Sequence, residues 1–80
     1  MYEKTVDDVQ LNECLAKENY LEATQMLIGE LKTNCEKNPD IPMLKGIYAS
    51  VTDVANRDGM AAKSIYDLVS CMRGVLLLKC

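Results

Sequence analysis

Apolar residues recur every three or four positions along most of this chain, the spacing that places side chains on one face of an α-helix. The most regular stretch holds Tyr20, Ala23, Leu27, Leu31 and Cys35. Asn19 and Glu22, which lie three residues apart, have the arrangement of a capping box at a helix N-terminus. The pattern therefore predicts a long helix from about Tyr20 to Glu36.

A shorter helix is predicted ahead of it. Thr5 can cap a helix start, and Asp7 and Asp8 fall where the positive end of the helix dipole favours carboxylates. An apolar stripe then continues to about Lys17. We expect this first helix to be short, with a solvated outer face.

Two closely spaced prolines, Pro39 and Pro42, mark the clearest break, because proline is not tolerated inside a helix. Pro42 suits the first turn of a third helix that runs to about Arg57. A fourth helix is expected to start just after Gly59, and Gly74 is expected to end or bend it. The predicted inward positions of this helix are Met60, Ile65, Leu68, Val69 and Met72.

The continuous apolar run Val75–Leu78 fits either a last buried helical turn or a short strand. Apolar residues make up 49% of the 80 residues, so the chain is expected to fold rather than stay disordered. These patterns predict an all-α fold, a small bundle of four helices in a single domain that covers residues 1–80.

The segment Val51–Ser70 carries more than an amphipathic pattern. Gly59 can adopt the left-handed backbone that a tight corner needs, and Ala55 supplies a small side chain where two helices would cross. Ile65 and Leu68 supply apolar anchors on the inner face of the helix that follows. At these residues the segment resembles the helix-turn-helix of phage repressor and Cro-type regulators.

That resemblance implies DNA as the partner, with the outward side chains of the fourth helix in the major groove. The expected DNA-binding residues are Arg57, Ala61, Lys63, Ser64, Tyr66 and Arg73. Lys63, Ser64 and Tyr66 would read the groove, Ala61 would touch a thymine methyl group, and the two arginines would contact phosphates. We expect the two N-terminal helices to brace this unit and to build a homodimer, in which the two recognition helices would have to lie about 34 Å apart.

Charge is unevenly distributed along the chain, whose formal net charge is -3. The first forty residues carry nine carboxylates against four lysines, whereas the last forty carry five cationic side chains against three carboxylates. Duplex DNA is bound mainly through neutralisation of its phosphates, so an acidic chain is a poor general binder of nucleic acid. If DNA is bound, the second half of the chain faces it.

The competing hypothesis is a helical protein–protein interaction module, such as an adaptor, a chaperone or an acidic inhibitor, that binds no nucleic acid. The aliphatic faces of the second and fourth helices would grip a partner helix. The stretch 19–23 is also similar to the start of the second helix in tetratricopeptide-type hairpins. A positive face centred on Lys63 favours the regulator, whereas an apolar groove or an unbroken acidic face favours the module.

The sequence offers little for catalysis or for a metal. It contains no histidine, no C-x-x-C pair and no glycine-rich phosphate loop. We therefore expect no enzyme activity, no cofactor and no metal site. The four cysteines are expected to be buried, reduced thiols of a cytoplasmic protein. No run approaches the roughly 20 apolar residues that span a bilayer, so no membrane partner is expected.

Overall fold

A computed structural model describes residues 2–57, 59 and 61–79 of the chain. Its elements, in chain order, are helices α1 (Asp8–Ala16), α2 (Tyr20–Lys37), α3 (Pro42–Ala55) and α4 (Ala62–Lys79). No strand occurs within these ranges. The prediction of an all-α bundle of four helices is confirmed.

The start of α1 differs from the prediction by a few residues. Asp7 caps the helix in place of Thr5, since its Oδ1 accepts a hydrogen bond from the Val9 N–H at 3.0 Å. Aspartate is among the best residues for this position because its carboxylate satisfies an N–H that has no partner inside the helix.

The long helix α2 begins at Tyr20 as predicted and ends one residue later than predicted, at Lys37. Its expected capping box does not form with the backbone. The Asn19 side-chain amide instead donates to the Glu22 carboxylate at 2.6 Å. This contact joins the same two residues but leaves the first N–H groups of α2 without a side-chain cap.

Pro42 lies in the first turn of α3, as predicted, and α3 ends at Ala55 rather than at Arg57. Gly59 lies in the connection to α4 with a φ of +86°, the left-handed conformation expected of it. Asp58 and Met60, including the predicted inward position of Met60, lie outside the described residues.

Helix α4 settles the two alternatives that its sequence left open. It continues through Gly74 and through the apolar run Val75–Leu78, so this run is helical and Gly74 does not end the helix. Only Leu76 of that run is buried. Leu68 was predicted to face inward, and that prediction is wrong, because its side chain is 41% exposed.

Helix α2 lies at the centre of the bundle and packs against each of the other three helices. The buried apolar side chains are Tyr2, Leu11, Ala23, Leu27, Leu31, Leu44, Val51, Ile65, Tyr66, Val69 and Leu76. Full burial of a leucine side chain contributes roughly 1.5–3 kcal/mol to stability. Four leucines are at most 3% exposed, so they supply much of the stabilisation of the core: Leu27, Leu31, Leu44 and Leu76. None of the described helices has the length and hydropathy required to cross a membrane.

Candidate functional site

The residues expected to bind DNA do not form one surface. Arg57, Ala61, Lys63 and Ser64 are exposed around the α3–α4 connection. Arg57 pairs with Asp53 at 3.2 Å, one helical turn earlier. An exposed pair of this kind contributes little to stability, but it places a carboxylate beside one of the two expected phosphate contacts.

Tyr66 was expected to face outward, and that expectation is wrong. Its side chain is 8% exposed, and its ring lies 6.0 Å from the ring of Tyr20, at an angle of 48°. Tyr66 precedes Val69 by three residues and Arg73 by seven, so it shares the face of α4 that packs against α2. A tyrosine in this position packs between helices and does not reach a groove of DNA.

Arg73 was expected to contact phosphate, and the structure places it on a carboxylate inside the protein. Its Nε donates to Glu30 Oε1 at 2.8 Å and its Nη2 donates to Glu30 Oε2 at 3.1 Å. Nη2 also donates to the carbonyl oxygen of Val6 at 3.3 Å. The Glu30 side chain is 0% exposed and that of Arg73 11%. The charge of Arg73 is thus already neutralised in the fold.

The Glu30 carboxylate gathers further donors from the N-terminal segment. It accepts hydrogen bonds from the Tyr2 hydroxyl and from the backbone N–H groups of Thr5 and Val6, each at 2.9 Å. We call Glu30, Arg73, Tyr2 and the Thr5–Val6 backbone the Glu30 cluster. Sequence reasoning missed it, since Glu30 gives no local signal beyond a position next to Leu31 in an apolar stripe.

The electrostatics of the Glu30 cluster favour the ionised pair. Burial alone would raise the pKa of Glu30, but hydrogen bonds from Arg73, Val6 and Tyr2 outweigh burial and hold this pKa below its ordinary value. Burial, together with the hydrogen bond to Glu30, raises the pKa of the Tyr2 hydroxyl. Both groups are therefore locked in one protonation state near neutral pH.

Asn34 fastens the same segment one turn further along α2. Its amide donates to the carbonyl oxygen of Glu3 at 2.8 Å and accepts from the Glu3 N–H at 2.6 Å. Every described buried side-chain nitrogen and oxygen has a hydrogen-bond partner. We infer that these polar groups hold the N-terminal segment against α2 and α4, and that they offer no vacant position to a ligand.

An apolar groove lies where α2, α3 and the start of α4 meet. Its volume is about 230 Å³, and it is lined by Leu21, Thr24, Gln25, Ile28, Thr52, Ala55, Asn56, Ala62 and Ile65. None of these side chains is charged. Leu21, whose side chain is 60% exposed, is the most exposed apolar residue of this lining. We refer to this feature as the α2–α3–α4 groove.

A second depression, between α1 and α2, has a different character. It measures about 370 Å³, and its lining includes the charged residues Glu13, Lys17 and Glu22. Its floor holds Cys14 and Met26, whose sulfur atoms lie 3.9 Å apart. A shallow charged surface of this kind remains well solvated, so the α2–α3–α4 groove is the better candidate for a contact that depends on burial.

All four cysteines were expected to be buried, and that expectation is wrong for Cys71. Cys14 and Cys35 are partly buried and burial raises the pKa of Cys35, but Cys71 is exposed on α4. Cys80 lies outside the described residues. Within the described part of the chain, no three Cys, Asp or Glu side chains converge as they would around a metal ion.

Comparison with known protein families, with curated proteins and with solved structures finds no match to this chain.

Proposed function

We propose that this chain is a helical protein–protein interaction module that binds an amphipathic helix of a partner protein in the α2–α3–α4 groove. The observation that carries the proposal is an uncharged depression, open to solvent, at the junction of three helices. A partner helix can lay its apolar face into a groove of this kind.

The size of the groove favours side chains of another protein over a small molecule. Small-molecule sites usually enclose about 300–1,000 Å³. At about 230 Å³ the groove is smaller than this range. It suits one or two aliphatic side chains of a helix that lies across it, in the manner of helix-in-groove recognition.

The polar residues of the groove suit the same kind of partner. Gln25 and Asn56 are exposed, and no hydrogen bond within the described chain uses their side-chain amides. They are therefore available to polar groups on the partner. Since the half of the chain that includes α2 is acidic, a partner with basic residues beside its apolar anchors gains favourable electrostatics.

The test is an NMR titration with a designed basic amphipathic helix that carries leucines at positions i, i+3, i+4 and i+7. We expect chemical-shift changes at the amides of residues 21–28, 52–56 and 62–65. Leu21→Glu should weaken the affinity at least tenfold, because it places a charge at the apolar groove. Val9→Glu, an equally exposed apolar position on α1, is the matched control and should bind as the unmodified chain does.

Absence of binding, or shifts that map elsewhere, would remove the proposal. Equal weakening by Leu21→Glu and Val9→Glu would also count against it, since the effect would then reflect net charge rather than the groove.

A second candidate function is DNA binding by the helix-turn-helix. Its specific support is the left-handed Gly59 between α3 and α4, followed by the exposed residues Ala61, Lys63 and Ser64. In this proposal Lys63 and Ser64 read the groove, Ala61 contacts a thymine methyl group, and Arg57 contacts phosphate after release from Asp53. This function ranks second because two of the expected DNA-binding residues make contacts within the protein. Tyr66 packs near Tyr20, and Arg73 is hydrogen bonded to Glu30.

Fluorescence anisotropy with random duplex DNA tests this second candidate. A regulator should bind at low salt, weaken steeply as salt rises, and lose affinity in Lys63→Glu but much less in Lys32→Glu, which changes the same charge on α2. If the unmodified chain does not bind at low salt, the DNA-binding proposal is abandoned.

A further inference from the structure

A second apolar stripe follows the outer side of α4. It consists of Leu68, Cys71, Val75 and Leu78, all of which are exposed, and we call it the α4 stripe. Leu78 is 90% exposed. The inner side of the same helix supplies other residues, among them Val69 and Leu76, to the core. Helix α4 therefore has two apolar faces, of which the fold buries only one.

The spacing within the α4 stripe is that of a helix seam. Its residues are separated by three, four and three positions, which is the alternation of the a and d positions of a heptad repeat. At 100° per residue they fall within about 80° of the helix circumference, and they extend over roughly 15 Å of its length. A narrow stripe of this form fits against one other helix rather than against a flat surface.

The surroundings of the α4 stripe favour a second copy of this chain as that helix. Between Asp67 and Lys79, α4 carries no charged residue except Arg73, which is bound to Glu30. Two copies can therefore approach here without like-charge repulsion. Contact through the acidic first half of the chain would instead bring carboxylates together. A two-fold interface needs a surface that is complementary to itself, and an uncharged apolar seam meets that condition.

Gly74, in the interior of α4, lies beside the α4 stripe. Glycine there costs up to about 1 kcal/mol relative to alanine. No atom of another described helix lies within 4 Å of where its Cβ would be, so packing inside the bundle does not require it. A glycine beside the seam lets a neighbouring helix come near the backbone.

We propose that two copies of this chain pair through their α4 stripes to form a two-fold symmetric dimer. A standard interface buries about 800 Å² on each partner. Four side chains along one helix bury less than that, so we expect weak association, with a dissociation constant in the micromolar range. The surface is separate from the α2–α3–α4 groove, which leaves that groove open in the dimer. Because the seam pairs with its own copy, assembly stops at two chains.

Sedimentation equilibrium over 5–500 µM protein, in the presence of a reductant, tests the dimer. We expect a monomer–dimer equilibrium for the unmodified chain and a dissociation constant at least tenfold higher for Val75→Glu and for Leu78→Glu. Both side chains are exposed, so the variants should fold, which far-ultraviolet circular dichroism checks. Val9→Glu and Leu21→Glu place the same charge on apolar side chains elsewhere and should dimerise normally.

A chain that remains monomeric to 500 µM would overturn the proposal, since another protein would then have to cover the stripe. Unchanged association of Val75→Glu and Leu78→Glu would do the same, and so would oligomers larger than two. Loss of association in Leu21→Glu alone would place the contact at the groove instead.

Discussion

At the scale of single residues, the Glu30 cluster combines burial, opposite charges and hydrogen bonds at one point of the fold. Two opposite charges with almost no solvent exposure meet there, and every oxygen of the carboxylate is hydrogen bonded. Replacement of such a pair by well-packed apolar residues is often neutral or stabilising, whereas removal of one partner leaves an uncompensated buried charge. We therefore expect the pair to specify how the N-terminal segment and α4 meet α2, more than it adds net stability.

Glu30→Gln should lower the free energy of unfolding by roughly 3 kcal/mol, because it leaves the Arg73 guanidinium without its anion in a buried place. Urea unfolding followed by circular dichroism measures the loss. Glu36→Gln, an exposed position on the same helix, should change it by less than about 0.5 kcal/mol. The double variant Glu30→Gln with Arg73→Met should recover part of the loss, and a further decrease would contradict this account.

The pH dependence of stability follows from the same carboxylate. The folded state holds the pKa of Glu30 below its ordinary value of 4.5, so the stabilisation is complete above that value and declines as the pH falls toward the folded pKa. We expect the free energy of unfolding to be lower at pH 3.5 than at pH 7. This difference should be smaller in Glu30→Gln and unchanged in Glu36→Gln; equal differences in all three proteins would rule Glu30 out as the cause.

The sequence did not reveal this cluster, because its members lie far apart along the chain. Glu30 and Arg73 are 43 positions apart, and no local pattern joins them. The same limit explains why the orientations of Tyr66 and Leu68 were predicted wrongly. Apolar residues on α4 form two stripes, and periodicity alone does not tell which of them meets α2.

At the scale of elements, local chemistry predicted more. Capping residues, prolines and apolar spacing placed all four helices within a few residues of their observed bounds. The left-handed backbone of Gly59 was also predictable, because few other residues adopt it at low cost. The α2–α3–α4 groove was not predictable from local sequence, because it forms only where three helices pack together.

Two glycine substitutions should have opposite effects on stability. Gly59→Ala should destabilise the fold by about 1 kcal/mol or more, because alanine is strained at a φ of +86°. Gly29→Ala should stabilise it by roughly 0.5–1 kcal/mol, since Gly29 is exposed inside α2 with no neighbour within 4 Å of an added Cβ. Thermal unfolding compares them; destabilisation by Gly29→Ala would show that a contact requires the glycine.

At the scale of the whole molecule, the contacts of α2 with the other three helices predict that the fold unfolds cooperatively. Leu27→Ala, at a fully buried position of α2, should lower the free energy of unfolding by about 2–5 kcal/mol. Because every other helix packs against α2, circular dichroism and tyrosine fluorescence should report the same midpoint in urea. Separate midpoints would show that part of the bundle folds on its own.

Helix α4 takes part in the core, in the α2–α3–α4 groove and in the α4 stripe. The inner face of α4 completes the core, the start of α4 borders the groove, and its outer face carries the α4 stripe. Substitutions on the outer face therefore test association with little disturbance of the core, and those at Leu21 test the groove with little disturbance of association.

The Glu30 cluster also bears on where the chain can be cut without loss of its fold. A fragment that contains Tyr2 and Glu30 but stops before Arg73 lacks the cation of the cluster. Burial of the carboxylate in such a fragment would cost several kcal/mol. Removal of the second half of α4 is therefore expected to release the N-terminal segment from α2, in addition to exposing the apolar residues that α4 covers.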